Sequence, residues 1–296
     1  MTNPLHAAFY ADRASQHQVT VLENERLARD TYRVRFACPE LARSVVPGQF
    51  LMLRMAGSDD PLLGRPLALY DTVLSTSGEP IGIDVVYLVL GKMTRRLSAF
   101  TAGQKLDVWG PLGNGFAATP TQHLLMVAGG IGQTPFMALA REALGGRVYG
   151  AANAATDTHV RTPGWAQRVT FCYGARTADY LAGVADFEKL GVQVRISTDD
   201  GTAGQHGLVT ELVRQVIAES PSVRVVCCGP ERMMEAVAAL TAEHQVPCQV
   251  SLETPMACGI GICFSCVAKV RDASGQWDYK RTCVEGPIFE AAQIEW

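Results

Sequence analysis

Two hydrophobic rhythms divide the chain. From His17 to Phe116 apolar and polar residues alternate in short runs, including His17–Glu23, Thr31–Ala37, Gln49–Arg54, Pro66–Tyr70 and Ile83–Val89. Pro47-Gly48, Ser77-Gly78 and Gly110-Pro111 punctuate them. Short strands at such spacing predict a small antiparallel β-barrel, with one helix over Lys92–Phe100. The rhythm then changes. His123–Ala128 is a continuous apolar run followed by glycines and a helical stretch, Pro135–Leu144. Strand-like Val169–Tyr173, Val192–Ile196 and Val223–Cys227 come next, with helical periodicity over Leu208–Ala218 and Glu231–His244. Apolar strands alternating with helices predict a doubly wound parallel sheet. The stretch 145–167 is small, polar and aperiodic, and reads as a surface insertion.

The 296 residues suit about two domains of ordinary size. A hydrophobic fraction of 48% against 19% charged excludes a disordered or fibrous chain. Net charge is −3, with 29 acidic and 26 basic residues, so no electrostatic case exists for nucleic acid or anionic membrane. No apolar run approaches the roughly 18 residues of a membrane-spanning helix. The first 13 residues lack a basic-then-apolar signal pattern, which predicts a cytoplasmic protein.

Composition also supplies the strongest chemical signal, nine cysteines. In a reducing compartment an odd number argues against a disulfide framework. Cys38, Cys172, Cys227, Cys228 and Cys248 are scattered, whereas Cys258, Cys263, Cys266 and Cys283 fall within the last 39 residues. Their spacing, C-x4-C-x2-C-x16-C, is that of a plant-type 2Fe-2S cluster. The four-residue loop must wrap the cluster with backbone N–H groups turned inward. Gly259 and Gly261 allow the backbone angles this needs, and Ser265 leaves room beside the core. Structural zinc is the competing reading, but it favours paired C-x2-C knuckles and only one is present.

Three further constellations belong to the two larger regions. Gly129, Gly130, Gly132 and Thr134 follow an apolar strand and open a helix, where backbone N–H groups suit a pyrophosphate. The alternative is a tight turn without a ligand. Cys228-Gly229-Pro230 ends the last strand of the sheet, where ligands sit in such folds. Cys228 is therefore a candidate catalytic residue lining a nicotinamide pocket, although by residue type alone a buried core thiol is the more usual outcome. Arg65-Pro66-Leu67-Ala68 opens a barrel strand, and an arginine fork there suits a flavin pyrophosphate.

Together these motifs resemble the ferredoxin–NADP reductase superfamily, and within it the electron-transfer subunits of dihydroorotate dehydrogenase B. The resemblance runs from His17 to Phe289 and is carried most specifically by Met256–Cys266 and Cys283–Phe289. Supporting matches are Tyr173–Thr177, Thr198–Gly201 and Cys228–Pro230. It implies an FAD-binding β-barrel (17–117), an NAD-binding α/β domain (118–246) and a 2Fe-2S module (247–296). It implies FAD contacts at Arg65, Pro66, Leu67, Ala68, Val86, Tyr87 and Leu88, with the flavin phosphates on the turn Gly91–Thr94 that includes Met93 and Thr94. Two departures stand out: Ala68 replaces a usual serine and Met93 a common glycine. The resemblance also implies a partner, an FMN-containing dihydroorotate dehydrogenase catalytic subunit, in a heterotetramer of two plus two. Electrons from dihydroorotate would pass through the cluster and FAD to NAD+ in pyrimidine synthesis, since only a flavin converts single electrons into a hydride. Arg176 falls near the ribose 2′ position, where an arginine suits NADP, while the family uses NAD. Two other assignments compete. One is a flavin and iron–sulfur subunit of another NAD(P)H-linked complex, such as an NADH-dependent ferredoxin:NADP+ oxidoreductase, a sulfide dehydrogenase or a hydrogenase. The other is a non-catalytic zinc-bearing binding module.

Overall fold

In the computed structural model, residues 11–150, 161–220 and 222–296 are described. The N-terminal stretch up to residue 10 and the middle of the 145–167 segment lie outside them.

The first hundred residues close into a barrel of order β1-β2-β5-β4-β3-β6. Its strands are β1 (Ser15–Ala28), β2 (Thr31–Ala37), β3 (Phe50–Met55), β4 (Arg65–Leu74), β5 (Pro80–Leu88) and β6 (Lys105–Leu112), all paired antiparallel. Alternation explains the closure: Val19, Val21, Val34, Phe36, Leu51, Leu53, Val85 and Val108 all point into one core. Two short helices, α1 (Pro39–Ser44) and α2 (Lys92–Leu97), cover the barrel. The sequence pattern predicts the second and misses the first, a single turn and a half opening on Pro39 between two strands. Gly110-Pro111, expected as a break between strands, instead lies inside β6. A register shift between Phe50 and Met52 of β3 absorbs it, and Leu51 Cδ2 would lie 2.5 Å from any Cβ at Gly110.

The second half is a seven-stranded sheet of order β10-β9-β8-β7-β11-β12-β15. Its strands are β7 (Thr121–Gly129), β8 (Ala166–Ala175), β9 (Gln193–Thr198), β10 (Gln205–His206), β11 (Val223–Cys228), β12 (Cys248–Ser251) and β15 (Ile288–Glu290). All neighbours run parallel except β15, which pairs antiparallel with β12. Both faces are covered, which is why the central strands read as unbroken apolar runs. Leu124, Met126 and Ala128 pack toward α3 (Phe136–Ala143) and α4 (Val184–Lys189). Leu125 and Val127 pack toward α5 (Val209–Glu219) and α6 (Glu231–Glu243).

The cysteine-bearing piece holds the hairpin β13 (Val267–Arg271) and β14 (Trp277–Arg281), and α7 (Thr282–Glu285). β12 and β15 flank the cysteine segment in sequence and lie side by side at the sheet edge. Among the described residues no helix is long and apolar enough to cross a membrane.

Candidate functional site

The segment that carries the four late cysteines packs against the barrel wall. Cys258 and Cys263 stand on the loop between β12 and β13, Cys266 ends that loop, and Cys283 lies in α7. Cys266 and Cys283 are buried, whereas Cys263 is exposed. Gly259 and Gly261 adopt φ of 75° and 81°, as the spacing requires. A Cβ on Gly259 would sit 2.6 Å from Met52 Cγ, so the loop lies directly on β3. Trp109 of β6 donates its indole N–H to the Cys258 carbonyl at 2.9 Å, and Arg281 donates to the Gly261 carbonyl at 3.0 Å.

Cys266 and Cys283 share one buried cluster with Phe50, Met52 and Leu112, and Cys263 lies on the exposed side of the loop. Ser265 accepts the Ala257 N–H and faces the Cys263 sulfur at 3.2 Å, and its hydroxyl pulls that thiol down to about 6. Cys266 is lowered to about 6, chiefly by a hydrogen bond with Cys283, whose own thiol is driven up. Among the described residues no three metal-ligating side chains gather at one point. The C-x4-C-x2-C-x16-C spacing is what favours a two-iron cluster over a single tetrahedral zinc.

The predicted flavin residues split into two kinds. Arg65, Pro66, Leu67 and Ala68 are half-buried along β4, and one Arg65 nitrogen donates to the carbonyls of Leu63 and Gly64, both at 3.0 Å. The side chains of Val86, Tyr87 and Met93 are buried in protein cores. Tyr87 stacks on Tyr32 and donates to Asn24 at 3.0 Å. Along Val86, Tyr87 and Met93 only main chain is available to a ligand, while Leu88 is half-exposed. Thr94 shapes the turn before α2, its hydroxyl accepting the N–H groups of Leu90 and Gly91 at 3.0 and 3.1 Å. Lys92 and Arg96 tie the 58–64 loop to this turn through Asp60.

Between barrel and sheet opens a cleft of about 660 Å³ at the carboxyl ends of the parallel strands. The barrel side is Thr31 and Leu88–Leu90, and the sheet side is Gly129–Ile131, Tyr173–Arg176, Asp199, Leu208, Pro230, Met233 and Glu253. Four sheet-side runs quoted from the sequence thus meet in one place. Gly129, Gly130 and Pro230 line the cleft, while Gly132, Thr134, Gly229 and Cys228 do not. Gly132 and Thr134 are buried, and a Cβ on Gly132 would lie 2.3 Å from the Cys228 carbonyl oxygen. A 3-10 turn, Gly130–Gln133, separates β7 from α3, so the glycines do not open the helix directly. Cys228 is 3% exposed and donates its thiol to Glu253 Oε1 at 3.7 Å. Burial pushes the Cys228 thiol well up. Glu253 opens to the cleft on one side, yet the protein around its other sides raises its carboxyl pKa. Sequence reasoning missed Glu253, which no motif announces.

Family models match the chain in three successive pieces. They are an oxidoreductase FAD-binding domain over 18–116, an oxidoreductase NAD-binding domain over 126–239, and the iron–sulfur cluster binding domain of dihydroorotate dehydrogenase B over 253–295. The chain is 34% identical over 278 residues to the dihydroorotate dehydrogenase B (NAD(+)) electron transfer subunit of Desulforamulus reducens, covering 93% of this chain and 97% of the relative. The chain belongs to that family. The counterpart from Caldanaerobacter subterraneus is also 34% identical, over 274 residues and 96% of its length. Among solved structures, that of an NADH-dependent reduced ferredoxin-NADP oxidoreductase, reported for flavin-based electron bifurcation, superposes with a TM-score of 0.75. It is 28% identical and covers 94% of this chain and 90% of that one. This member of the dihydroorotate dehydrogenase B family is thus an oxidoreductase component with FAD-, NAD- and 2Fe-2S-binding regions in chain order. The zinc-module alternative gives way to that match.

Proposed function

We propose that this chain takes electrons from an FMN-bearing catalytic subunit that oxidises dihydroorotate and passes them to NAD+, for pyrimidine synthesis. The assembly is a cytoplasmic heterotetramer of two plus two. The observation that carries this reading is the family match along nearly the whole chain, together with the C-x4-C-x2-C-x16-C spacing and a cleft of about 660 Å³ on one polypeptide. When bound, the cluster supplies single-electron transfer and the flavin converts it to hydride transfer.

The chain's own residues have distinct tasks. Cys258, Cys263, Cys266 and Cys283 would hold the cluster, with Ser265 and the Ile260 N–H, 3.4 Å from the Cys258 sulfur, stabilising thiolate charge. Arg65–Ala68, the Val86–Leu88 main chain and the Gly91–Thr94 turn would hold FAD. Gly129, Gly130 and Pro230 would admit NAD close to backbone. Glu253, which accepts from the Cys228 thiol, presents a hydrogen-bonding group to the cleft. Arg176 and Asp199 share the outer rim, the one suited to a 2′-phosphate and the other to a free ribose hydroxyl. Relatives named for NAD(+) support the second.

Co-expression with a candidate catalytic subunit tests the reading. The expected result is a complex that oxidises dihydroorotate only when NAD+ is supplied and this chain is present. Full dihydroorotate oxidation by this chain alone would overturn the division of labour. The 28%-identical ferredoxin-NADP oxidoreductase neighbour favours a second reading, a subunit of an NADH-dependent ferredoxin complex. Co-purification with a ferredoxin-reducing subunit would select it.

A further inference from the structure

Asp71 lies on β4, six residues beyond the flavin-motif Arg65, and is only 7% exposed. Three donors from the nicotinamide side converge on its carboxylate. Arg141 of α3 donates Nε to Oδ2 at 2.9 Å, Arg147 donates to Oδ1 at 2.8 Å, and Tyr149 donates its hydroxyl to Oδ1 at 2.6 Å. Arg147 also bonds the carbonyl and hydroxyl of Thr72. Burial, and then the adjacent carboxylate, push the Tyr149 hydroxyl well up, so it remains a donor. Tyr149 is 2% exposed and packs inside the barrel core, together with Ala138 of α3. A second tie closes the same segment from its other end. Glu142, fully buried on α3, receives both Arg161 Nε and Nη2 at 2.8 and 2.6 Å, and Arg161 donates onward to the Phe116 carbonyl at 2.7 Å. The stretch expected as a surface insertion therefore straps the two halves together at both of its described ends.

Position gives the strap its consequence. β4 carries the flavin motif, and α3 follows directly from the glycine turn that lines the cleft. Apolar packing alone is non-directional and tolerates sliding, whereas an arginine fork on a carboxylate fixes distance and angle. We propose that Asp71 is a positioning residue for hydride exchange, the Asp71–Arg141–Arg147–Tyr149 clamp setting the approach of the nicotinamide turn to the flavin strand. Hydride transfer moves two electrons and a proton together from one ring to the other, and it falls steeply with small displacements. Electron exchange between cluster and flavin does not cross this interface, because the cysteine loop rests on β3 and β6 of the barrel. The clamp therefore acts on one redox step and not on the other.

The inference rests on the cleft being the nicotinamide site, and the test separates the two. Asp71→Asn and Tyr149→Phe are made in the full chain carrying FAD and cluster, then mixed with NADH in a stopped-flow spectrometer. The expected result is flavin bleaching slowed about tenfold or more for Asp71→Asn and a few-fold for Tyr149→Phe. The charge-transfer absorbance of NAD+ over reduced flavin should weaken in step, while photoreduction of cluster and flavin without nicotinamide keeps its rate. Should Asp71→Asn fail to fold, Tyr149→Phe, which removes a single hydroxyl, carries the test. Unchanged bleaching in Tyr149→Phe, or a parallel fall in both rates, overturns the clamp. Absence of bleaching in the unsubstituted chain overturns the reading of the cleft instead.

Discussion

At the scale of single residues, the site depends on side chains that are absent as much as on those present. Gly132 is an example, since its missing Cβ lets the turn after β7 touch the main chain at Cys228. Gly132→Ala places a methyl 2.3 Å from a carbonyl oxygen that is itself fixed in β11. The expected cost is about 1–3 kcal/mol of stability, as for other overpacked sites, with a raised KM for NADH. Urea denaturation and steady-state kinetics check it, and unchanged values in both would show that the two loops give way freely. The glycine itself was legible in the sequence, because a glycine turn after an apolar strand is a local signal. Its true neighbour was not, because Cys228 lies 96 positions away by residue number.

At the scale of elements, the parallel strands were legible because burial on both faces writes an unbroken apolar run. What such a run hides is any polar member inside it. His123 is the third residue of β7 and is 3% exposed. Arg168 can only donate, so its 2.9 Å bond makes His123 Nδ1 the acceptor and leaves Nε2–H to donate to Thr170 at 2.8 Å. Burial, then the nearby Arg168, push the imidazole down to about 4. The folded state thus binds this proton more weakly than the unfolded chain, whose ordinary value is 6.5. The stability from the neutral ring is fully present above that value and is lost as pH falls from it toward about 4. His123→Gln is expected to melt below the parent at pH 7, with the gap narrowing by pH 4. Thermal melts across that range measure it, and a gap independent of pH would show that the ring is not held neutral.

At the scale of the whole molecule, the cysteine segment has little core of its own. Its buried cluster combines Cys266, Cys283 and Val284 with Phe50, Met52 and Leu112 borrowed from the barrel. Two of its own three members are thiols, so metal ligation and folding are coupled. Chelating iron from the loaded protein is expected to open the 253–285 stretch to protease while barrel and sheet stay resistant. Limited proteolysis followed by mass spectrometry would show it, and equal protection of all three regions would contradict it. This arrangement also explains why the chain reads as three pieces yet folds as interlocked ones: β12 and β15 anchor the module to the sheet, and Asn114 bridges it to the barrel end through Ile288.

Sequence alone determined whatever is written over short range. The change of hydrophobic period, the C-x4-C-x2-C spacing, the glycine turns and the Arg65 motif each constrain a few neighbouring residues, and each survives into the structure as a strand, loop or turn. Tertiary structure alone decided which of these meet. The partners of Asp71 lie 70, 76 and 78 positions away, and Glu253 lies 25 from Cys228. Buried polar groups must find hydrogen-bonding partners wherever the fold brings them, so such pairings leave no periodic trace in the chain. For the same reason the described ends of a polar, aperiodic stretch, at Arg147, Tyr149 and Arg161, came to tie the two halves together.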